Sequence, residues 1–161
     1  MRSRVLFPAP FSPIRAWQVP RSTVKPTPVE REHAGSADYA DFWRAQGDTV
    51  DVYRIDVSVR SSARVEQVVA RLDPAQALDR LVFLCHGWRD GVQFGLKSDT
   101  DDRRARLAAF AAKLVAASTD NLAVTLYCCS TGASPDDPSG EGGFADALRD
   151  ALVAAGRPRV R

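Results

Sequence analysis

A three-layer α/β/α protein with a mainly parallel sheet is the fold class this sequence predicts, on three observations. LVFLC (residues 81–85) is continuously apolar, as a strand covered on both faces must be, and LAVTLYCC (122–129) reads as a second buried strand. Helical periodicity fills the stretches after each of them, at 101–118 and 144–155. Strands alternating with helices of this length need crossover connections, and crossovers make parallel neighbours.

The elements follow in order. Residues 1–35 carry six of the ten prolines (Pro8, Pro10, Pro13, Pro20, Pro26 and Pro28), which predicts an extended, poorly ordered leader. The α/β domain is expected over 36–161, beginning with a short helix that Ser36 caps and Gly47 ends. Tyr39, Phe42 and Trp43 are expected on one face of that helix. In DTVDVYRIDVSV, Tyr53, Ile55, Val57 and Val59 alternate with Arg54, Asp56 and Ser58, the pattern of a strand with one wet face near a sheet edge. Ser61 or Ser62 opens a helix with Val65, Val68, Val69 and Leu72 on its apolar stripe, and Pro74 ends or restarts it. The helix at 101–118 places Leu107, Phe110, Ala111, Leu114 and Val115 together. A Pro/Gly/Ser/Asp loop at 133–143 precedes FADALRDALVAA, a last helix that Gly156 and Pro158 stop. The two buried strands should lie side by side, with the 101–118 helix crossing between them.

Composition narrows the function classes. A chain of 161 residues, 45% apolar and 26% charged, suits one globular domain with a real core. A net charge of +2 is too small to indicate nucleic acid. Its positive excess sits at the ends (Arg2, Arg4, Arg15, Arg21, Lys25, then Arg157, Arg159 and Arg161) without interleaved aromatics, and these side chains read as solvated. His33, within the leader, reads the same way. Three cysteines, two of them adjacent, make a poor disulfide framework and suggest a reducing compartment. No apolar run is long enough to span a membrane, and the prolines interrupt any targeting helix in the Arg-rich leader, so the expected location is cytoplasmic.

The chemistry concentrates at the strand ends. One buried strand ends in Cys85-His86-Gly87, the other in Cys128-Cys129-Ser130. Parallel sheets bind ligands beyond the carboxyl ends of their strands, and pairing these two brings His86 and Cys129 to one edge. A cysteine attacks as its thiolate, and a neighbouring histidine takes its proton and later protonates the leaving group. The Gly87 and Cys129 backbone N–H groups can hold the oxyanion, and a glycine after the histidine lets a carbonyl approach closely. Cys85 and Cys128 read as packing residues.

These residues resemble the caspase-like cysteine peptidase superfamily, in particular its CHAT-type branch. LVFLCHG is similar to that family's strand ending in His-Gly, and LYCCSTG to its strand ending in a small residue and the nucleophilic cysteine. The resemblance implies a caspase-like fold, with His86 as the catalytic histidine, Gly87 at the oxyanion hole and Cys129 as nucleophile. Cys128 stands where the family has a small residue. The separation of 43 positions between His86 and Cys129 suits one helix and a loop, and GEGGFADALRDALVAAG is similar to the branch's Gly-rich turn and following helix. The resemblance spans residues 50–158. It implies a cysteine-type endopeptidase that hydrolyses peptide bonds of a peptide or protein through a thioester acyl-enzyme, with no cofactor or metal and no nucleic-acid or membrane partner. It identifies no activating partner. Two departures stand out: the leader is a poor source for the family's first strand, and RPRVR falls where its next strand would begin. The second suggests a domain truncated at its C-terminus, a fragment or a degenerate copy.

Other readings compete. A caspase-like module without catalysis, serving protein interaction, is the alternative from another class. Ser130 in CCSTG fits a loose nucleophile elbow, but no histidine follows residue 86 to complete a serine esterase triad in the usual order. Zinc held by Cys85, His86, Cys128 and Cys129 would need two adjacent pairs as tetrahedral ligands, an awkward geometry. GEGGFA matches a dinucleotide fingerprint only by chance, since it comes eleven residues after the strand.

Overall fold

The computed structural model describes residues 8–9, 38–75, 77–132 and 142–157. The expectations for the rest of the 1–35 leader, His33, the 133–141 loop, Arg159 and Arg161 lie outside the described residues. In chain order the elements are β1 (Pro8–Ala9), α1 (residues 38–45), β2 (Tyr53–Arg54), α2 (Ser61–Val69), β3 (Leu78–Leu84), β4 (Gly87–Trp88), β5 (Gly91–Val92), α3 (Asp101–Ala116), β6 (Ser118–Tyr127) and α4 (Phe144–Ala154). The protein is mixed α/β.

Its centre is the pair of apolar runs. β3 and β6 are direct parallel neighbours, with Leu81 opposite Val124 and Leu84 opposite Tyr127. Side chains alternate across a strand, so each run serves two faces. Leu81 and Phe83 join Leu122, with Val124 and Leu126 packed alongside, in a core that α3 and α4 complete through Leu107, Phe110, Leu114, Leu148 and Leu152. Val82 faces the other way, against Ala40 and Val50, flanked by Tyr39, Trp43 and Leu84. Burying each large side chain contributes about 1.5–3 kcal/mol, which accounts for the apolar run of β3. β6 is less covered than its sequence indicates: of residues 122–127 only Leu122 is buried, and Tyr127 is exposed.

α3 shows the terminal chemistry that its sequence encodes. Thr100 Oγ1 accepts from the Arg103 N–H at 3.4 Å, Asp101 and Asp102 occupy the first turn, and Lys113 the last. Its C-terminal carbonyl Val115 accepts from Arg157 Nη2 at 3.1 Å, and Ser118 O accepts from the same nitrogen at 2.7 Å. Arg157 also pairs with Asp120 at 3.0 Å, and its side chain is only 16% exposed. The expectation that Arg157 is a solvated end charge is therefore corrected: its guanidinium fork ties the chain after α4 to the end of α3.

Two further expectations change, and one segment adds an element that the sequence leaves open. The strand predicted over 50–59 is extended only at Tyr53–Arg54, where it pairs parallel with Pro8–Ala9. Beyond it, the Asp56 carboxylate accepts from Ser58 N and Ser58 Oγ at 2.8 and 2.6 Å, and this local turn competes with the strand. Arg54, Asp56 and Ser58 are exposed, as the alternation indicates. Phe42 does not share the buried face of Tyr39 and Trp43; it is 56% exposed, because only the i, i+4 pair points at the sheet. Finally, residues 86–97 form a β4–β5 hairpin with a bridge from Gly91 to Lys97, and Val92, Phe94 and Leu96 enter the core. Phe94 stacks on Phe83 at 4.5 Å between ring centroids. The alternation of Val92, Phe94 and Leu96 with Gln93, Gly95 and Lys97 was the available signal for this segment.

Candidate active site

Because β3 and β6 are parallel, they end at the same edge of the sheet. The ladder runs one step further through the Cys85 N–H, which donates to Tyr127 O at 3.4 Å. There the Cys85 and Cys128 sulfurs meet at 3.3 Å, half-buried against the α3/α4 core. The contact with Cys128, followed by burial, pushes the Cys85 thiol far above the ordinary range. The same contact draws the Cys128 thiol down, while burial opposes it. Cys85 thus holds its proton and supports its neighbour. Cys129, the next residue, is exposed.

The His86-Gly87 segment is fixed from the hairpin. His86 O accepts the Gln93 N–H at 2.9 Å, and the His86 N–H donates to Gln93 Oε1 at 3.3 Å. Gly87 opposes Val92 across the β4–β5 pair. A Cβ at Gly87 would lie 2.6 Å from Cys129 O, 2.6 Å from Thr131 Cγ2 and 2.7 Å from Cys128 Cβ. Only glycine fits there. The residue after His86 is therefore pressed against the backbone of the turn that carries Cys129.

That turn is itself braced. Ser130 adopts φ of 57°, in the left-handed region that a serine occupies at some cost. Thr131 is 5% exposed, its Oγ1 donates to Cys128 O at 3.3 Å, and its own carbonyl accepts the Ala145 N–H at 2.8 Å. The Phe144 N–H donates to Arg89 O at 2.7 Å. Helix N-termini leave their first N–H groups unpaired, and Gly143 offers α4 no side-chain cap. Carbonyls from the two candidate segments take that role, so the N-terminus of α4 holds the hairpin after His86 and the turn after Cys129 together.

The sequence-predicted residues thus occupy one edge: Gly87 touches the 128–131 turn, His86 precedes it half-buried, and Cys129 and Ser130 are exposed. GEGGFA ends, in its described part, as the start of α4. Gln93 and Thr131, which position the two segments, were not singled out from sequence. For Gln93 the only signal was its place in the alternation of Val92, Phe94 and Leu96, and for Thr131 its place as a small polar residue just beyond an apolar strand. Among the described residues, no group of three or more His, Cys, Asp or Glu side chains is arranged to hold a metal ion, and no helix is long and apolar enough to cross a membrane. Comparisons with protein-family models, with curated proteins and with solved structures give no match.

Proposed function

We propose that this protein is a cysteine-type peptidase with a caspase-like three-layer α/β/α fold, acting through Cys129 and His86. The observation that carries the reading is the contact of Gly87 with the Cys128–Thr131 turn, which leaves Cys129 exposed beside the His86-Gly87 backbone. The Cys129 thiolate attacks the carbonyl carbon of a peptide bond, and His86 takes up the thiol proton. The oxyanion is held by the Gly87 and Cys129 N–H groups. Collapse breaks the C–N bond, His86 protonates the departing amine, and a thioester remains on Cys129. Water, deprotonated by His86, then attacks the thioester, releasing the carboxylic acid and restoring the thiol. The exposed edge suits a peptide or protein substrate, and the chemistry requires no cofactor. A cytoplasmic, reducing location would keep all three thiols available.

The backbone of Ser130 favours one second reading, a serine hydrolase, since strained nucleophile elbows share its positive φ. Hydrolysis of a mixed library of internally quenched peptides separates the two. Cys129→Ala should abolish turnover and Ser130→Ala should retain most of it; the reverse pattern assigns Ser130. No turnover by the wild-type chain, with Cys129 no more reactive than the other thiols, leaves a non-catalytic interaction module.

A further inference from the structure

A cavity of about 600 Å3 opens between α2 and α3 and shares no residue with the strand-end site. Val65 and Val69 of α2 and Ala109 of α3 give it an apolar lining, backed by the buried Phe110 and Leu96. Its charged lining is one-sided: Lys97, Arg103, Arg106 and Lys113 against a single acid, Glu66. Arg103 pairs with Asp99, and Lys97 lies 3.9 Å from the Asp90 carboxylate. Arg106 and Lys113, seven residues apart on α3, have no carboxylate partner among the described residues, and both are exposed. The first turn of α2 adds to this sign, since it contains no acidic residue and Arg60 provides no side-chain cap. The rim is also built. Gly95 has φ of +107°, and a Cβ there would lie 2.5 Å from Ser61 O, so the loop is seated tightly on the start of α2.

We propose that this cavity binds a single-chain anionic amphiphile, a fatty-acid-type carboxylate. Its tail lies on Val65, Val69 and Ala109, and its head meets Arg106 and Lys113. The volume falls within the range of small-molecule sites, about 300–1,000 Å3, which favours such a ligand over a partner helix. Apolar contact supplies the affinity and the cations select the head group.

Calorimetric titration of the full chain with decanoate, decyltrimethylammonium and decanol, each below its micelle concentration, tests this. Decanoate should bind once per chain, at least about tenfold tighter than the cationic surfactant at low salt, with the margin shrinking as salt rises. Arg106→Glu with Lys113→Glu, both exposed and remote from the core, should reverse that preference. Ala109→Trp, which fills the cavity from an exposed position on α3, should abolish decanoate binding while the unfolding transition remains intact. No decanoate binding at millimolar concentration, equal binding of all three probes, or binding that survives Ala109→Trp would each overturn the proposal.

Discussion

Replacing Gly87 by alanine should break the junction that assembles the candidate site. The added methyl would sit 2.6 Å from Cys129 O, 2.6 Å from Thr131 Cγ2 and 2.7 Å from Cys128 Cβ. Carbon contacts relax at about 3.5–4.0 Å, so the two segments must separate by roughly 1 Å. Two of the three contacts are with Cys129 O and Cys128 Cβ, atoms that cannot move without the backbone. Both segments are also anchored, His86 by Gln93 and Thr131 by the Ala145 N–H. Overpacking of this kind costs about 1–3 kcal/mol. With a urea m-value of about 2 kcal/mol/M, a loss of about 2 kcal/mol lowers the unfolding midpoint by roughly 1 M. Gly132→Ala is the control, because a Cβ there meets nothing within 4 Å, and its shift should stay within about 0.5 kcal/mol. Equal midpoints for Gly87→Ala and Gly132→Ala would refute the claim that the His86-Gly87 hairpin presses on the Cys129 turn.

Two other perturbations follow from the structure. Cys85, whose thiol is pushed up by Cys128 and burial, keeps its proton in the folded chain while the unfolded chain releases it above about pH 8.5, so stability is full below that pH and falls above it. The limiting slope from this group, reached well above about pH 8.5, is about 1.4 kcal/mol per pH unit; Cys128, drawn down in the folded chain, contributes in the opposite sense near that pH and fades as its unfolded thiol ionises. Urea melts between pH 8.5 and 10 should therefore steepen in the wild type relative to Cys85→Ala, and parallel curves would contradict the coupling. Arg157→Ala should cost about 1.5–3 kcal/mol, because the Val115 and Ser118 carbonyls lose a charged donor. A loss below about 0.5 kcal/mol would return Arg157 to the status of a solvated terminal charge.

The helices and central strands were legible because their burial follows local periodicity. Leu107, Phe110 and Leu114 sit at helical spacing, and the apolar run at 81–85 reflects a strand with packed side chains on both faces. At 122–128 only Leu122 is fully buried and Tyr127 is 45% exposed, so that run is less covered than its apolar character indicates. Phe42 was misplaced because helical spacing alone does not say where the edge of a buried face falls. The alternation over 50–59 does not become a full strand because the Asp56–Ser58 turn chemistry competes with it. Arg157 is not legible as a cap, because a long cation near a chain end has the same sequence signature whether it is solvated or capping a helix. The chemical residues His86, Gly87 and Cys129 could be singled out from their places at strand ends. Their bracing could not, since it runs through carbonyls of Arg89 and Thr131, and backbone oxygens leave no trace in residue identity. Gln93, which holds His86 by both its backbone and its side chain, lies in a hairpin that no strong propensity marks.

The most direct measurement is the map of a peptidyl acyloxymethyl ketone adduct over the three cysteines, read by mass spectrometry after limited labelling at neutral pH. Wild-type protein should carry one adduct, on Cys129. Cys128→Ala should label almost as fast, and Cys129→Ala not at all. His86→Ala should slow labelling by about 10² to 10⁴-fold in a chain that still folds, the loss expected when a general base is removed. An adduct on Cys128 would move the nucleophile to the half-buried pair. Slow, equal labelling of all three thiols, unaffected by His86→Ala, would contradict the peptidase reading altogether.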